Sequence, residues 1–100
     1  MSAAFQIEQT GPGRLEVRGA LSFATAAEAL REGIKLIGTA PECTVGLGGV
    51  AEADSAGLAV LIEWLASARV RGAQLRYEAI PGQILAVARI SEVQRLLGAE

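Results

Sequence analysis

The 100-residue chain contains no histidine and a single cysteine, Cys43, and these shortages exclude several classes of function. Without histidine there is no imidazole for acid–base catalysis, and the usual zinc sites cannot form. The glutamates are scattered, with no spacing typical of metal ligands. One cysteine allows no internal disulfide, and its place in a predicted core strand indicates a buried, unreactive thiol. We therefore expect neither a metal nor another cofactor.

Excess positive charge and long apolar runs are also missing. The net charge of −2 and the isoelectric point near 5.2 argue against a nucleic-acid partner, because phosphate binding needs a basic surface. No apolar run approaches the roughly 20 residues of a membrane-spanning helix. The N-terminus has no basic lead of the kind found in signal peptides. We expect one domain over residues 1–100, located in the cytoplasm, with no direct membrane insertion.

The spacing of apolar residues predicts the order of secondary-structure elements. Segments with alternating apolar and polar residues, or short apolar runs, predict four strands: Phe5–Gln9, Arg14–Arg18, Cys43–Leu47 and Gln74–Glu78. Helical spacing predicts four helices: one capped by Thr25 and ending near Ile37, one over Ala56–Arg71, one opening at Pro81, and one capped by Ser91. The order ββαβαβαα indicates an α/β fold, with a small mixed sheet covered by helices on one face or both.

The only aspartate, Asp54, stands next to Ser55 where a predicted strand gives way to a long apolar helix. Both residue types cap helices, so a purely structural role is one interpretation of this pair. A functional interpretation also exists, because a helix N-terminus favours negative charge and a phosphate on Ser55 would change what binds there. In the same turn Gly57 has no side chain, which lets a partner's backbone approach closely and also permits tight packing beneath the helix.

The helix that follows is apolar on two sides. Leu58, Leu61, Ile62, Leu65 and Ala68 form a stripe that suits packing against a sheet. The other side carries Ala56, Ala59, Val60, Glu63, Trp64 and Ser67, which is unusually apolar for a surface in contact with water. Either a neighbouring helix covers Trp64 as part of the core, or this side docks onto a partner with Trp64 as an anchor.

Two enzymatic interpretations are weak. The segment Gly46–Gly49 has a glycine pattern faintly like a dinucleotide-binding loop, but the third glycine is misplaced and no helix begins there. Ser55 as a nucleophile would need a nearby base, and without histidine only Lys35 or a carboxylate remains. We therefore expect a protein that is not an enzyme.

The segment Cys43–Arg71, with Asp54, Ser55, Gly57 and Leu58 at its centre, resembles the signature of the STAS domain, a family that includes anti-sigma factor antagonists and the cytoplasmic tails of sulfate transporters. Leu58–Leu65 and the helix end before Gly72 are similar to the MlaB-type subunit of the Mla phospholipid ABC transporter. So are Ile80-Pro81 and the stretch Leu85–Ala88. The resemblance implies a STAS-like fold over the whole chain. Many members of the family carry a phosphorylatable Ser or Thr at the position that matches Ser55.

Two functions follow from the resemblance. The first is a non-catalytic subunit that binds the MlaF-like ATPase subunit of an ABC transporter with an MlaE-like permease, and so lies peripherally at the inner membrane and supports outer-membrane lipid asymmetry. The second is an anti-sigma factor antagonist switched by phosphorylation of Ser55. In both, the expected partner-binding residues lie on one helix and the turn before it: Asp54, Ser55, Ala56, Gly57, Ala59, Val60, Glu63 and Trp64.

Overall fold

A computed structural model describes residues 4–38 and 40–98, and it contains one four-stranded sheet. The strands are β1 (Phe5–Gly11), β2 (Arg14–Leu21), β3 (Glu42–Ala53) and β4 (Gln74–Glu78), and the helices are α1 (Ala26–Ile37), α2 (Ser55–Val70) and α3 (Gly82–Ile90), followed by a 3₁₀ helix (Gln94–Leu97). The predicted α/β fold with the order ββαβαβαα is confirmed. None of these helices is long and apolar enough to cross a bilayer.

The sheet is mixed, with the spatial order β1-β2-β3-β4. β1 pairs with β2 as an antiparallel hairpin, whereas β2, β3 and β4 run parallel. Because α1 connects β2 to β3 and α2 connects β3 to β4, the carboxyl ends of the three parallel strands lie at one edge of the sheet. We call this edge, with the loops that follow β2, β3 and β4 and the first turns of α1, α2 and α3, the carboxyl edge. Edges of this kind commonly hold binding sites.

The core lies between the sheet and the helices. Leu15 and Val17 of β2 and Val45 and Leu47 of β3 are buried on the helix-covered face. The opposite face of the sheet is polar, with the Arg14 guanidinium 2.8 Å from carboxylate oxygens of both Glu16 and Glu78. These ion pairs also raise the pKa of Arg14, through its hydrogen bonds to Glu78 first and then to Glu16. Alternating burial along the strands therefore fixes which face receives the helices.

Several predicted boundaries are wrong. β1 ends at Gly11 and β2 at Leu21, two and three residues beyond their predicted ends at Gln9 and Arg18. β3 continues to Ala53, six residues beyond the predicted end at Leu47, and it stays paired with β2 through two irregularities in the register. Gly46, Gly48 and Gly49 carry no side chains, so the alternating pattern that marks a strand is lost there. Ser91 does not cap a final α-helix; it is the C-cap of α3, and the chain then forms only a 3₁₀ turn.

Candidate functional site

The turn between β3 and α2 is held by the side chain of Asp54. One carboxylate oxygen, Oδ1, accepts hydrogen bonds from the backbone N–H of Ala56 at 2.9 Å and of Gly57 at 3.4 Å. Asp54 is therefore the N-cap of α2, and the capping interpretation is confirmed for this residue. Ser55 is the first residue of the helix and is exposed.

The second carboxylate oxygen of Asp54 reaches another loop of the carboxyl edge. Oδ2 accepts a hydrogen bond from the backbone N–H of Phe23 at 3.0 Å, across 31 positions of sequence. The backbone N–H of Asp54 in turn donates to the carbonyl of Leu21 at 3.4 Å. Asp54 thus joins the loop after β2 to the turn after β3, and it holds Phe23 beside the start of α2.

The loop after β2 is fixed by Thr25 as well as by Asp54. The Thr25 hydroxyl donates to the carbonyl of Ala20 at 2.9 Å and accepts from the backbone N–H of Ser22 at 3.1 Å. Thr25 is the N-cap residue of α1 as predicted, although its side chain caps none of the helix N–H groups. The loop therefore has a defined conformation in which the Phe23 side chain points into solvent, with the residue 85% exposed.

Ser55 has a hydroxyl that is free for a partner or a modifying enzyme. Within residues 4–38 and 40–98 no group accepts a hydrogen bond from it. No basic side chain in that part of the chain contacts Ser55 as a catalytic base would have to. The hydroxyl can therefore serve as a contact or as an acceptor of phosphate, but it has no activating neighbour.

The helix start offers fewer amide donors to a phosphate than the sequence indicates. The N–H groups of Ala56 and Gly57, which would stabilise an anion at a helix N-terminus, are already bound by the Asp54 carboxylate. A phosphate on Ser55 would have to compete with that carboxylate and would also be repelled by it. Negative charge at Ser55 is thus expected to loosen the cap rather than complete it.

Three of the predicted partner-binding residues are part of the core. Gly57, Val60 and Trp64 are buried, and Trp64 is 0% exposed, so the prediction that they lie on an accessible face of α2 is wrong. Of the two interpretations of Trp64, the core one is correct, because α1 packs beside α2 and places Gly33 directly against the indole. Phe5 lies on the same ring, with the two ring centroids 6.4 Å apart.

Gly57 has no space for a side chain, because the end of β2 lies directly against it. A Cβ there would overlap the carbonyl oxygen of Leu21, so the close approach permitted by Gly57 is made by β2 and not by a partner.

The stripe of α2 that packs against the sheet differs in part from the predicted one. Leu58, Leu61 and Ala68 are buried as predicted, but Ile62 and Leu65 are only partly buried. The buried side of the helix instead includes Val60 and Trp64, and Trp64 packs against α1 at Gly33.

The face of α2 that remains in contact with solvent is narrow and consists mainly of small side chains. It runs along the whole helix and consists of Ser55, Ala59, Ala66 and Val70, flanked by Glu63 on one side and Arg69 on the other. We call this set the exposed stripe of α2. Positions 55, 59, 66 and 70 are separated by four, seven and four residues, so they lie on one side of an α-helix. Asp54 and Ala56 are half-buried at its upper end. A helix that is apolar on nearly every side is normally covered by another surface.

The remaining reactive side chains, a cysteine and a tyrosine, are buried in the core. Cys43 is buried, and burial raises the pKa of its thiol, as expected for an inert cysteine. Burial also raises the pKa of the Tyr77 phenol, whose O–H donates to the carbonyl of Leu61 at 2.6 Å. Within residues 4–38 and 40–98 no three His, Cys, Asp or Glu side chains come together as a metal site would require.

Phe23 is the residue of this site that sequence analysis did not identify. It lies between a predicted strand and a predicted helix cap, where no regular spacing assigns the ring to a buried or an exposed face. The hydrogen bond from its N–H to Asp54 depends on the parallel pairing of β2 and β3, which brings their carboxyl ends together. A weak signal was present, since an aromatic residue in a short loop bounded by Ser22 and Thr25 has no periodic partner in the core.

Comparison with known proteins places the fold in a family. A family model described as "Mlab, STAS domain" matches residues 5–98. Among solved structures, the chain is similar to the sulfate transporter family protein from Wolinella succinogenes, with 20% identity and a TM-score of 0.65 over 93% of this chain and 76% of that one. It is also similar to the anti-sigma factor antagonist SpoIIAA in its unphosphorylated form, with 12% identity and a TM-score of 0.64 over 94% of this chain and 98% of that one.

No curated protein matches the sequence significantly. At these identities the two structural likenesses establish a shared fold, whereas the family match extends over nearly the whole chain and therefore establishes membership. The expected resemblance is confirmed, and this chain belongs to the STAS domain family, in its MlaB-type branch.

Proposed function

We propose that this protein is a non-catalytic subunit of a phospholipid-transporting ABC complex of the Mla type. In this role it binds the cytoplasmic ATPase subunit, which works with a permease in the inner membrane, and it supports assembly and activity of the complex in maintaining outer-membrane lipid asymmetry. The MlaB-type family match is the observation that carries the proposal. The protein would lie in the cytoplasm and reach the membrane only through its partners.

The geometry of the carboxyl edge supports a docking role. The exposed stripe of α2 offers small side chains over the length of the helix, so a partner surface can approach the helix backbone closely. Ser55 stands at the upper end of this stripe, and the Asp54 cap fixes the helix in place before any partner arrives. A rigid surface loses little conformational entropy on binding, which favours a stable subunit contact.

The direct test is affinity capture of the tagged protein from its own membranes in mild detergent, followed by mass spectrometry of the proteins recovered with it. The proposal predicts recovery of an ABC ATPase together with a permease. Recovery of a soluble kinase or anti-sigma factor, with no transporter subunit, would contradict it. A tagged Ser55→Arg variant should lose the ATPase, while Ser91→Arg, an exposed serine at the C-terminal end of α3, should retain it.

A signalling switch is the second candidate, and the exposed Ser55 hydroxyl is the observation that favours it. A kinase could reach this hydroxyl without unfolding the turn. The experiment is incubation of the protein with a cognate anti-sigma kinase and ATP, with intact-mass measurement before and after. A reversible gain of one phosphate, absent in Ser55→Ala, would favour signalling. An unchanged mass with every such kinase of the source organism would remove this candidate.

A further inference from the structure

We propose that the side chain of Phe23 is the anchor of the docking surface, and that it inserts into an apolar pocket with a basic rim on the ATPase subunit. This inference rests on the proposed function, and it names the chemistry of the partner's site. It assigns a binding role to a loop outside α2, so that two separate elements of the carboxyl edge would contact the same partner.

The first argument is the rigid exposure of the ring. Phe23 is 85% exposed, although both neighbouring segments of chain are well packed. Its N–H is bound by Asp54, and Thr25 ties the loop to Ala20 and Ser22, so the backbone has no freedom to fold the ring away. A large aromatic side chain exposed on a loop whose backbone is fixed by hydrogen bonds is typical of an interface anchor. Aromatic residues contribute much of the binding energy once they fill a pocket.

The second argument is position. The Asp54 carboxylate bonds the Phe23 N–H with one oxygen and the first turn of α2 with the other, so the loop and Ser55 are neighbours at the carboxyl edge. A partner that covers Ser55 and Ala59 therefore meets the loop of Phe23 as well. The other strongly exposed apolar residues, Val70 and Ile90, lie at the C-terminal ends of α2 and α3, at the opposite side of the sheet.

The third argument concerns charge, and it decides the chemistry of the partner. The three segments that build the carboxyl edge, residues 20–29, 50–58 and 78–85, contain no lysine or arginine. They carry Glu28, Glu52, Asp54 and Glu78. Glu28 and Glu52 form no ion pair within residues 4–38 and 40–98, whereas Glu78 is paired with Arg14. A surface of this kind attracts cationic side chains, and complementary charge around an apolar anchor raises the association rate and selects the partner.

The experiment uses the ATPase subunit purified alone and immobilised, with the full-length protein in solution. Phe23→Ala should weaken binding at least about tenfold, whereas Ile90→Ala, which removes an apolar side chain that is 84% exposed at the C-terminal end of α3, should bind like the wild type. Both variants should melt within about 2 °C of the wild type, because neither side chain contributes to the core.

Two further readouts separate contact from indirect effects. The photoreactive analogue p-benzoylphenylalanine at position 23 should crosslink to the ATPase subunit on illumination, and the same analogue at position 90 should not. The wild-type association rate should fall severalfold as NaCl rises from about 50 to 500 mM, because the added salt screens the attraction between the basic rim and the acidic edge. A rate that is independent of salt would overturn the basic rim.

The outcomes distinguish this inference from the function on which it rests. If the wild-type protein does not bind the ATPase subunit, the proposed function fails, and the anchor fails with it. If the wild type binds, Ser55→Arg weakens binding and Phe23→Ala binds like Ile90→Ala with no crosslink from position 23, the function stands and the anchor is overturned.

Discussion

At the residue scale, Asp54 connects the cap of α2 with the loop that displays Phe23. Its two carboxylate oxygens accept hydrogen bonds from three backbone N–H groups, which belong to two different segments of the chain. A neutral alanine would leave the first turn of α2 without its cap and would release the N–H of Phe23. This single side chain therefore contributes both to stability and to the shape of the docking surface.

We predict that Asp54→Ala lowers the free energy of unfolding by about 1–2 kcal/mol, the usual cost of losing an N-cap side chain. Urea denaturation followed by circular dichroism measures the change. Ser55→Ala is the matched control, and it should stay within about 0.5 kcal/mol of the wild type because the hydroxyl has no partner in the described part of the chain. Equal losses for the two variants would show that the Asp54 bonds do not hold the turn.

Gly33 is a second residue with a sharp requirement, because its missing side chain makes room for Trp64. A Cβ at this position would overlap the indole of Trp64. Because Trp64 is fully buried, the indole cannot shift into solvent to make room. We predict that Gly33→Ala destabilises the protein by about 1–3 kcal/mol in spite of the better helix propensity of alanine. Thermal unfolding followed by Trp64 fluorescence gives the measurement.

The matched control for Gly33 is Gly82, in the first turn of α3. An added Cβ at Gly82 meets no atom within 4 Å, so Gly82→Ala should be neutral or stabilise the protein by up to about 1 kcal/mol. If Gly33→Ala were as stable as Gly82→Ala, α1 would not pack against Trp64 as described.

At the element scale, α2 has a buried face and a face exposed to solvent. Gly57, Leu61 and Trp64 face the core, and the exposed stripe of α2 faces solvent. Because small residues such as Ala59 occupy the stripe, a long side chain there would hold a docking partner away from the helix backbone without disturbing the fold.

We predict that Ala59→Arg weakens binding to the ATPase subunit at least about tenfold while leaving the melting temperature within about 2 °C of the wild type. Isothermal titration calorimetry and thermal unfolding measure the two quantities. Ala86→Arg on the exposed side of α3 is the control and should bind normally. A loss of binding in both variants would extend the interface to α3, and normal binding by Ala59→Arg would exclude the exposed stripe.

The sequence was sufficient to predict the order of the elements, since the alternation in Phe5–Gln9 and the helical spacing in α1 are local patterns. It was also sufficient to predict the Asp54 cap, because capping depends on a residue and its next two neighbours. The extension of β3 beyond Leu47 was not predictable in the same way. Its glycines carry no pattern, and pairing with β2 decides their conformation.

The accessible side of α2 could not be predicted either, because the helix is apolar on nearly every side. The packing of α1 at Gly33 and of Phe5 buries Trp64, while Ala59 on the same helix is exposed. The position of Phe23 likewise depends on a contact across 31 positions. Local spacing therefore indicated the candidate turn, while tertiary packing determines which of its side chains are exposed.

At the scale of the whole molecule, acidic and basic side chains lie at opposite ends of the parallel strands. The carboxyl edge is acidic, whereas Arg69, Arg71 and Arg89 lie at or next to the C-terminal ends of α2 and α3, and Arg95 lies in the 3₁₀ helix that follows α3. A protein with this polarity approaches a partner in a preferred orientation, with the acidic edge toward a basic surface. This orientation would bring the Ser55 turn and Phe23 to the partner first.

The central claim is that the Ser55 turn docks onto the ATPase subunit of an ABC transporter. The most direct test is the dissociation constant of that purified subunit for the wild type, for Ser55→Arg and for the control Ser91→Arg, all three confirmed as folded. We predict that Ser55→Arg raises the dissociation constant at least about tenfold and that Ser91→Arg leaves it unchanged. Equal affinity of the three proteins would contradict the placement of the interface at Ser55.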